Sequence, residues 1–233
     1  MQIRDIGIIV SKRQSGEKSA VLTLFTKEHG LYTCFVKNIS GKNSVIYQLG
    51  NIVDLFISAR LDEHMGTCRC ELLFGSSHFM HHKMKLYSLS SLLAMIVASF
   101  EERVPHPKFF TTLLDYIKNS SAAFKVMDYF RIERAMLSEA GYGLDFSSCA
   151  VTGSVEELKF VSPKSGRAVC FEAGQEYQDK LLKLPSCATD DSEPEGEEIK
   201  EMADLLLYFF KRYIFKRGEP KERREFVGLL GAN

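Results

Sequence analysis

The sequence predicts an α+β chain: an N-terminal five-stranded barrel, then an α-helical domain carrying a small irregular insertion. Three observations predict it. Five short β-rich runs, parted by glycine and polar turns, lie between residues 6 and 74. After Gly75 the apolar residues change to helical spacing. Between residues 146 and 188 neither period persists, and Cys149 and Cys170 each read as half of a Cys-x-x-Cys knuckle. The expected domains are residues 1–77 and 78–233.

Ile6-Gly7-Ile8-Ile9-Val10 is the first strand run. Ala20 to Thr26 and Leu31 to Val36 flank Lys27-Glu28-His29-Gly30, a hairpin signal in which Gly30 takes positive φ. Asn51 to Ala59 and Thr67 to Phe74 complete the set. A small barrel of five short strands is the pattern of an OB-fold. Met84 to Glu101 is a long helix with Leu86, Leu89, Leu93, Ile96, Val97 and Phe100 at helical spacing. Pro105 and Pro107 break the chain before a helix over Lys108 to Asn119. A third helix spans Phe124 to Ala140, with Gly141 as its stop. Within the insertion, 159–162 and 168–171 are short strand candidates. A C-terminal helix over 199–216 ends at Gly218 and Pro220.

The composition is that of a globular protein, 45% hydrophobic and 26% charged, with formal net charge zero. Whole-chain charge therefore points to no nucleic-acid partner; local patches must be weighed instead. Six cysteines are too sparse for a secreted disulfide scaffold. The start has no apolar leader, and the longest uncharged segment, Leu86 to Phe100, is shorter than a bilayer span. The expectation is a cytoplasmic, nucleoid-associated protein with reduced thiols and no membrane partner.

Catalytic signatures are missing. Ser40-Gly41-Lys42-Asn43 resembles the end of a phosphate loop, but Val36 and Asn43 stand where Gly and Ser or Thr belong. His78, His81 and His82 share a helix turn without a neighbouring carboxylate or cysteine; an exposed helix start is the plainer reading than a metal site. Cys68 and Cys70 fall on one strand face, near Cys34, as small apolar core residues. No Gly-x-Ser-x-Gly, His-Glu-x-x-His or Gly-x-Gly-x-x-Gly occurs. The expectation is a non-enzyme.

Binding features are local. Lys12 and Arg13 sit in the first loop, and Lys37 and Lys42 in the loop after the hairpin. Loops of this kind border one face of a barrel; the alternative is an ordinary solvated surface. Residues 211–225 carry seven bases against three acids, either a soluble terminal helix or a phosphate-contacting tail. Residues 190–201 carry seven acids against one lysine and read as a solvated loop entering a helix, where acids favour the N-terminal dipole.

Three segments together resemble one family. Gly16-Glu17, a hydrophobic strand and Phe25-Thr26-Lys27-Glu28-His29-Gly30 form the first. Phe130-Arg131, Leu137 and Gly141-Tyr142-Gly143-Leu144-Asp145-Phe146-x-x-Cys149 form the second, and Val161-Ser162-Pro163-Lys164-Ser165-Gly166-Arg167-Ala168-Val169-Cys170 the third. In this order, over nearly the whole chain, they resemble RecO, the recombination mediator family. That resemblance implies an OB barrel, a helical domain and, in many members, a zinc-finger-like insertion. It also implies binding to single- and double-stranded DNA, strand annealing, and action with RecR to help RecA replace the single-strand DNA-binding protein. Docking of that protein's acidic C-terminal tail is implied as well.

Two departures qualify it. Zinc-bearing members present two Cys-x-x-Cys pairs; here Thr152 and Ala173 replace the second cysteines, and two thiolates cannot fill a closed tetrahedral site. A metal-free, degenerate insertion with no cofactor is expected. The loop after the hairpin holds only two bases, so DNA binding by Lys12, Arg13, Lys37, Lys42 and Arg60 is expected to be weak, salt-sensitive and sequence-independent. By motif match, Arg131 would receive the partner tail, with Leu137 and Phe146 lining its pocket; the alternative is a structural helix with Arg131 exposed or paired to an acid. The runner-up function is an adapter with little DNA affinity of its own.

Overall fold

A computed structural model describes residues 2–59, 65–119 and 124–231. The chain forms two compact units, Met1–Phe124 and Lys125–Asn233. The sequence placed a boundary at 77/78; that point is a change of secondary structure inside the first unit.

Five strands, β1 (Gln2–Gln14), β2 (Ser19–Thr26), β3 (Gly30–Lys37), β4 (Ile52–Ser58) and β5 (Gly66–Phe74), close a barrel in the order β1-β2-β3-β5-β4. Closure comes from β1, which pairs antiparallel with both β2 and β4, and from a parallel β3–β5 contact. β1 runs well beyond the predicted Ile6–Val10, because β4 pairs with its start and β2 with its end. Alternation does the rest: Leu22, Leu24, Tyr32, Cys34, Val36, Val53, Leu55 and Ile57 point inward and form the core. Cys68 and Cys70 join them, as expected, in the same cluster as Cys34. Cys34 first, and burial with it, push the Cys68 thiol up; these are core thiols and inert as nucleophiles.

The Phe25 to Gly30 motif proves to be architectural. Asp5, almost fully buried, accepts the Glu28 N–H and bonds His29 Nδ1 at 2.8 Å. The Thr26 hydroxyl donates to Gly30 O. Gly30 sits at φ 65°, and a β-carbon there would lie 1.9 Å from Val104 O, so the turn excludes any side chain.

Helix α1 (Lys83–Ser99) and α2 (Pro107–Asn119) belong to the barrel's unit, where Phe25 packs against Phe100, Phe109 and Phe110. His78 bonds Ile117 O at 3.1 Å and lies against Phe74 and Phe79. It is thus a packing residue, while His81 and His82 are exposed.

In the second unit, α3 (Val126–Glu139) ends as predicted, with Gly141 at φ 88° and Tyr142 N–H bonded to Leu137 O. The insertion forms a three-stranded sheet, β7-β6-β8, from β6 (Leu158–Val161), β7 (Ala168–Cys170) and the two-residue β8 (Leu182–Lys183). Two single-turn helices, α4 (Phe171–Gly174) and α5 (Cys187–Asp190), flank β8 in the chain. Helices α6 (Glu197–Tyr213) and α7 (Lys221–Leu230) follow, parted by Gly218 at φ 88°. Among the described residues, no helix is long and apolar enough to cross a membrane.

Candidate nucleic-acid interface and anion clamp

Cations gather at one end of the barrel because strand register brings two loops together. Arg13 lies opposite Val21, and Val21 opposite Phe35, giving an Arg13–Val21–Phe35 row across three strands. One rung further on, Ser19 opposes Lys37. The Ile39 N–H donates to Lys18 O, which ties the first loop to the one after the hairpin. Lys12, Arg13, Lys18, Lys37 and Lys42 are all exposed. Glu17 is the single carboxylate in the two connecting loops, so the local field is positive. Phe35 alternates out of the core and is half-buried. Arg60 lies outside the described residues.

The second unit holds a different arrangement. On α3, Arg131 and Arg134 are three residues apart and share a helix face. Arg131 forks onto Asp191, with Nε–Oδ1 at 3.0 Å and Nη2–Oδ2 at 2.5 Å, and also bonds Asp128 at 2.5 Å. Arg134 lays its guanidinium over the Phe146 ring, 4.8 Å from the centroid. Burial holds the Arg134 pKa below its usual value, opposed by the charge of Asp191. The Asp191 carboxyl is held low by its hydrogen bond from Arg131 first, with the charges of Arg131 and Arg134 adding to it. Two guanidiniums beside an aromatic ring thus form an anion clamp, and this chain's own acidic loop fills it.

Four acids of the acidic segment are engaged in intramolecular contacts. Asp191 takes Arg131, Glu193 accepts the Val126 and Met127 N–H groups at the start of α3, Glu198 bonds Ser186 and Glu201 pairs with Lys183.

In the insertion, Cys149 Sγ accepts N–H groups from Val151 and Thr152 at 3.4 and 3.5 Å. This is a knuckle turn, with Gly153 at φ 76° closing it. Thr152, at the position of a second cysteine, places its hydroxyl 3.6 Å from Cys170 Sγ. Burial pushes the Cys149 thiol up, but hydrogen bonds from Thr152, the Cys170 N–H and the Val151 N–H outweigh it, and the pKa falls to about 6. Among the described residues, no group of three or more His, Cys, Asp or Glu side chains is placed to hold a metal. Cys187 therefore does not complete a donor set with Cys149 and Cys170, and two sulfurs do not fit a tetrahedral zinc ion.

Comparison with known proteins divides the chain between residues 74 and 84, inside the first compact unit. Residues 1–74 match the family model "Recombination protein O N terminal", and residues 84–223 match "Recombination protein O C terminal". The chain belongs to the RecO family. It is 44% identical over 227 residues to the DNA repair protein RecO of Rickettsia felis, covering 97% of this chain and 96% of the relative. To its counterparts in Rickettsia bellii and Rickettsia akari it is 42% identical over 233 residues, covering 99% of this chain and 97% and 98% of theirs.

In this family member the expected residues are only partly brought together. Lys12, Arg13, Lys37 and Lys42 share one end of the barrel. Arg131 and Phe146 meet through Arg134. Leu137 does not join them: six residues from Arg131, it falls on another helix face and is fully buried. It supports the clamp as core and offers no surface to a ligand. The Arg223 contribution to a basic tail also fails, because that guanidinium is 1% exposed and bound to Glu133. Lys18, Phe35 and Arg134 were missed. The Arg131-x-x-Arg134 spacing was the available signal for the last, and strand alternation for Phe35.

Proposed function

We propose that this RecO-family chain is a non-catalytic mediator of DNA repair and recombination. It binds and anneals DNA and, with RecR, helps RecA load on strands coated by single-strand DNA-binding protein. The observation that carries this reading is the cation cluster beside Phe35 at one end of a closed five-stranded barrel. Five strands closed through β1 fit an OB-fold, whose outer strand face and bordering loops suit oligonucleotides. Lys12, Arg13, Lys18, Lys37 and Lys42 would neutralise phosphates, and Phe35 would stack on a base. Neither contact reads sequence, so binding is sequence-independent.

The clamp suits the acidic C-terminal tail of the single-strand binding protein. Arg131 supplies a bidentate fork for a carboxylate, and Arg134, held over the buried Phe146 ring, supplies a second cationic face. Tail binding exchanges Asp191 for the partner's carboxylate. In the insertion, the Cys149 knuckle is a zinc turn that has become metal-free and is held by packing and Thr152.

The test is fluorescence anisotropy of a labelled single-stranded oligonucleotide across salt. Binding that weakens linearly on a log–log salt plot is expected. Absence of binding even at low salt overturns the DNA-handling role. It would favour the second reading, an adapter acting through RecR and the tail, which the zero net charge supports.

A further inference from the structure

A cleft of about 950 Å³ opens in the second unit between the insertion sheet and the start of α6. Its floor is apolar. Leu158 and Phe160 alternate onto one face of β6, Phe160 and Phe171 stack with centroids 6.4 Å apart, and Leu181 completes the surface. Behind them sits the buried cluster of Cys149, Val169 and Cys170. Gly174 also backs the floor: a β-carbon there would meet the Phe160 ring at 2.4 Å, so only glycine lets the ring pack this close to the backbone. Phe171 is 47% exposed and Val155, on the rim, 70% exposed, unusual exposure for large apolar side chains on one site.

The walls carry six carboxylates, Glu157, Asp179, Glu195, Glu197, Glu198 and Glu201, against two ammonium groups, Lys159 and Lys183. Glu201 is spent on Lys183, and Glu198 on Ser186. Glu157, Asp179, Glu195 and Glu197 form no ion pair with a described residue and face solvent. The negative field registers on its neighbours. Lys183 is held protonated by the Glu201 hydrogen bond first, with the charges of Glu201, Glu197 and Glu198 adding to it. Burial raises the Cys187 thiol to about 12, with the charges of Glu198 and Asp190 helping.

We propose that this cleft docks a basic polypeptide segment, one presenting an aromatic or aliphatic anchor flanked by lysine or arginine. An acidic rim repels DNA and the acidic tail considered above, so this partner is of the opposite charge class. A polyamine matches the rim but leaves the floor wet. An apolar small molecule covers the floor but leaves the uncompensated carboxylates idle. A segment with both features buries Phe160 and Phe171 as a desolvated centre and places its cations against the acidic ring.

The probe is a fluorescein-labelled peptide alternating lysine with leucine and phenylalanine, titrated against the full chain. Binding is expected, weakened about tenfold by the pair Glu157→Lys and Glu197→Lys, as loss of charge complementarity requires. Phe171→Ser should weaken it similarly, including at salt high enough to screen the rim. Val155→Ser, at a more exposed position, serves the same purpose if the first variant melts early by circular dichroism. Oligonucleotide binding should be unchanged in the uncharged variants, which separates this site from the barrel. Equal binding of an all-lysine peptide, displacement of the probe by spermidine at the probe's own concentration, or indifference to Phe171→Ser and Val155→Ser would each overturn the proposal. So would concentration-dependent self-association that these variants abolish, because the occupant would then be a second copy.

Discussion

Arg223 and Glu133 form a buried, doubly hydrogen-bonded ion pair: Nε to Oε1 at 2.8 Å and Nη2 to Oε2 at 2.9 Å, with side chains 1% and 0% exposed. The remaining guanidinium donors reach Ala203 O and Glu219, so a single side chain ties α3, α6 and α7 together. Burial works against the Arg223 charge, but Glu133 more than compensates, and the group stays protonated. Removing one partner strands a charge in the core. Arg223→Met should cost about 3–5 kcal/mol in urea unfolding. Glu133→Leu combined with Arg223→Met should recover most of that loss. If the double variant is as unstable as the single, the pair is not the linkage between these helices.

The barrel cations make a quantitative prediction. On single strands each neutralised phosphate contributes roughly 0.7 to the log–log salt slope. Replacing Lys12, Arg13, Lys37 and Lys42 with alanine should therefore flatten the slope by up to about 3. Melting temperature should barely change, because all four are exposed. An unaltered slope would move the DNA surface away from this end of the barrel.

Phe35 should behave differently from the cations. Stacking on a base is worth ~1–3 kcal/mol and involves no counterion. Phe35→Ala should weaken oligonucleotide binding while leaving the salt slope as it was. A changed slope with unchanged affinity at low salt would count against stacking.

Much of the fold was legible in the sequence, for reasons that differ by element. The five strands alternate cleanly, and Gly30 and Gly141 mark turns whose positive φ only glycine takes easily. Long-range contacts were not legible. Nothing local shows that Glu193 caps α3 from 67 residues away, or that Arg223 is a core residue and not part of a basic tail. The acids of residues 190–201 look solvated in sequence; folding sets Asp191 against Arg131 and Glu201 against Lys183. Site residues followed the same rule. Lys12, Arg13 and Lys37 read as loop charges in the sequence but are paired strand residues at the ends of β1 and β3, whereas Phe35 and Arg134 derive their setting from strand register and from Phe146 across the fold.

Asp191 competes with any acidic ligand of the clamp. Because the Arg131–Asp191 pair is partly exposed, its worth is small, and Asp191→Asn should tighten binding of an acidic tail peptide by about two- to fivefold. Arg131→Ala should weaken it by about tenfold or more, through loss of a charge-assisted fork. Peptide affinity by isothermal titration decides it: an Asp191→Asn variant that binds no better means that the loop does not occlude the site.

Cys149 provides a pH signature. Its folded-state pKa of about 6 lies below the thiol value of ~8.5 expected in an unfolded chain. A depressed pKa means that the folded state favours the thiolate. The resulting stabilisation is fully present above ~8.5 and is lost as pH falls through about 6. Thiolate ultraviolet absorbance should therefore show one cysteine titrating near that pH, and Cys149→Ser should abolish the step. Thr152→Val removes one of the hydrogen bonds that hold the thiolate and should move the step upward. A titration that Thr152→Val leaves in place would mean that the backbone N–H groups of the knuckle carry the stabilisation by themselves.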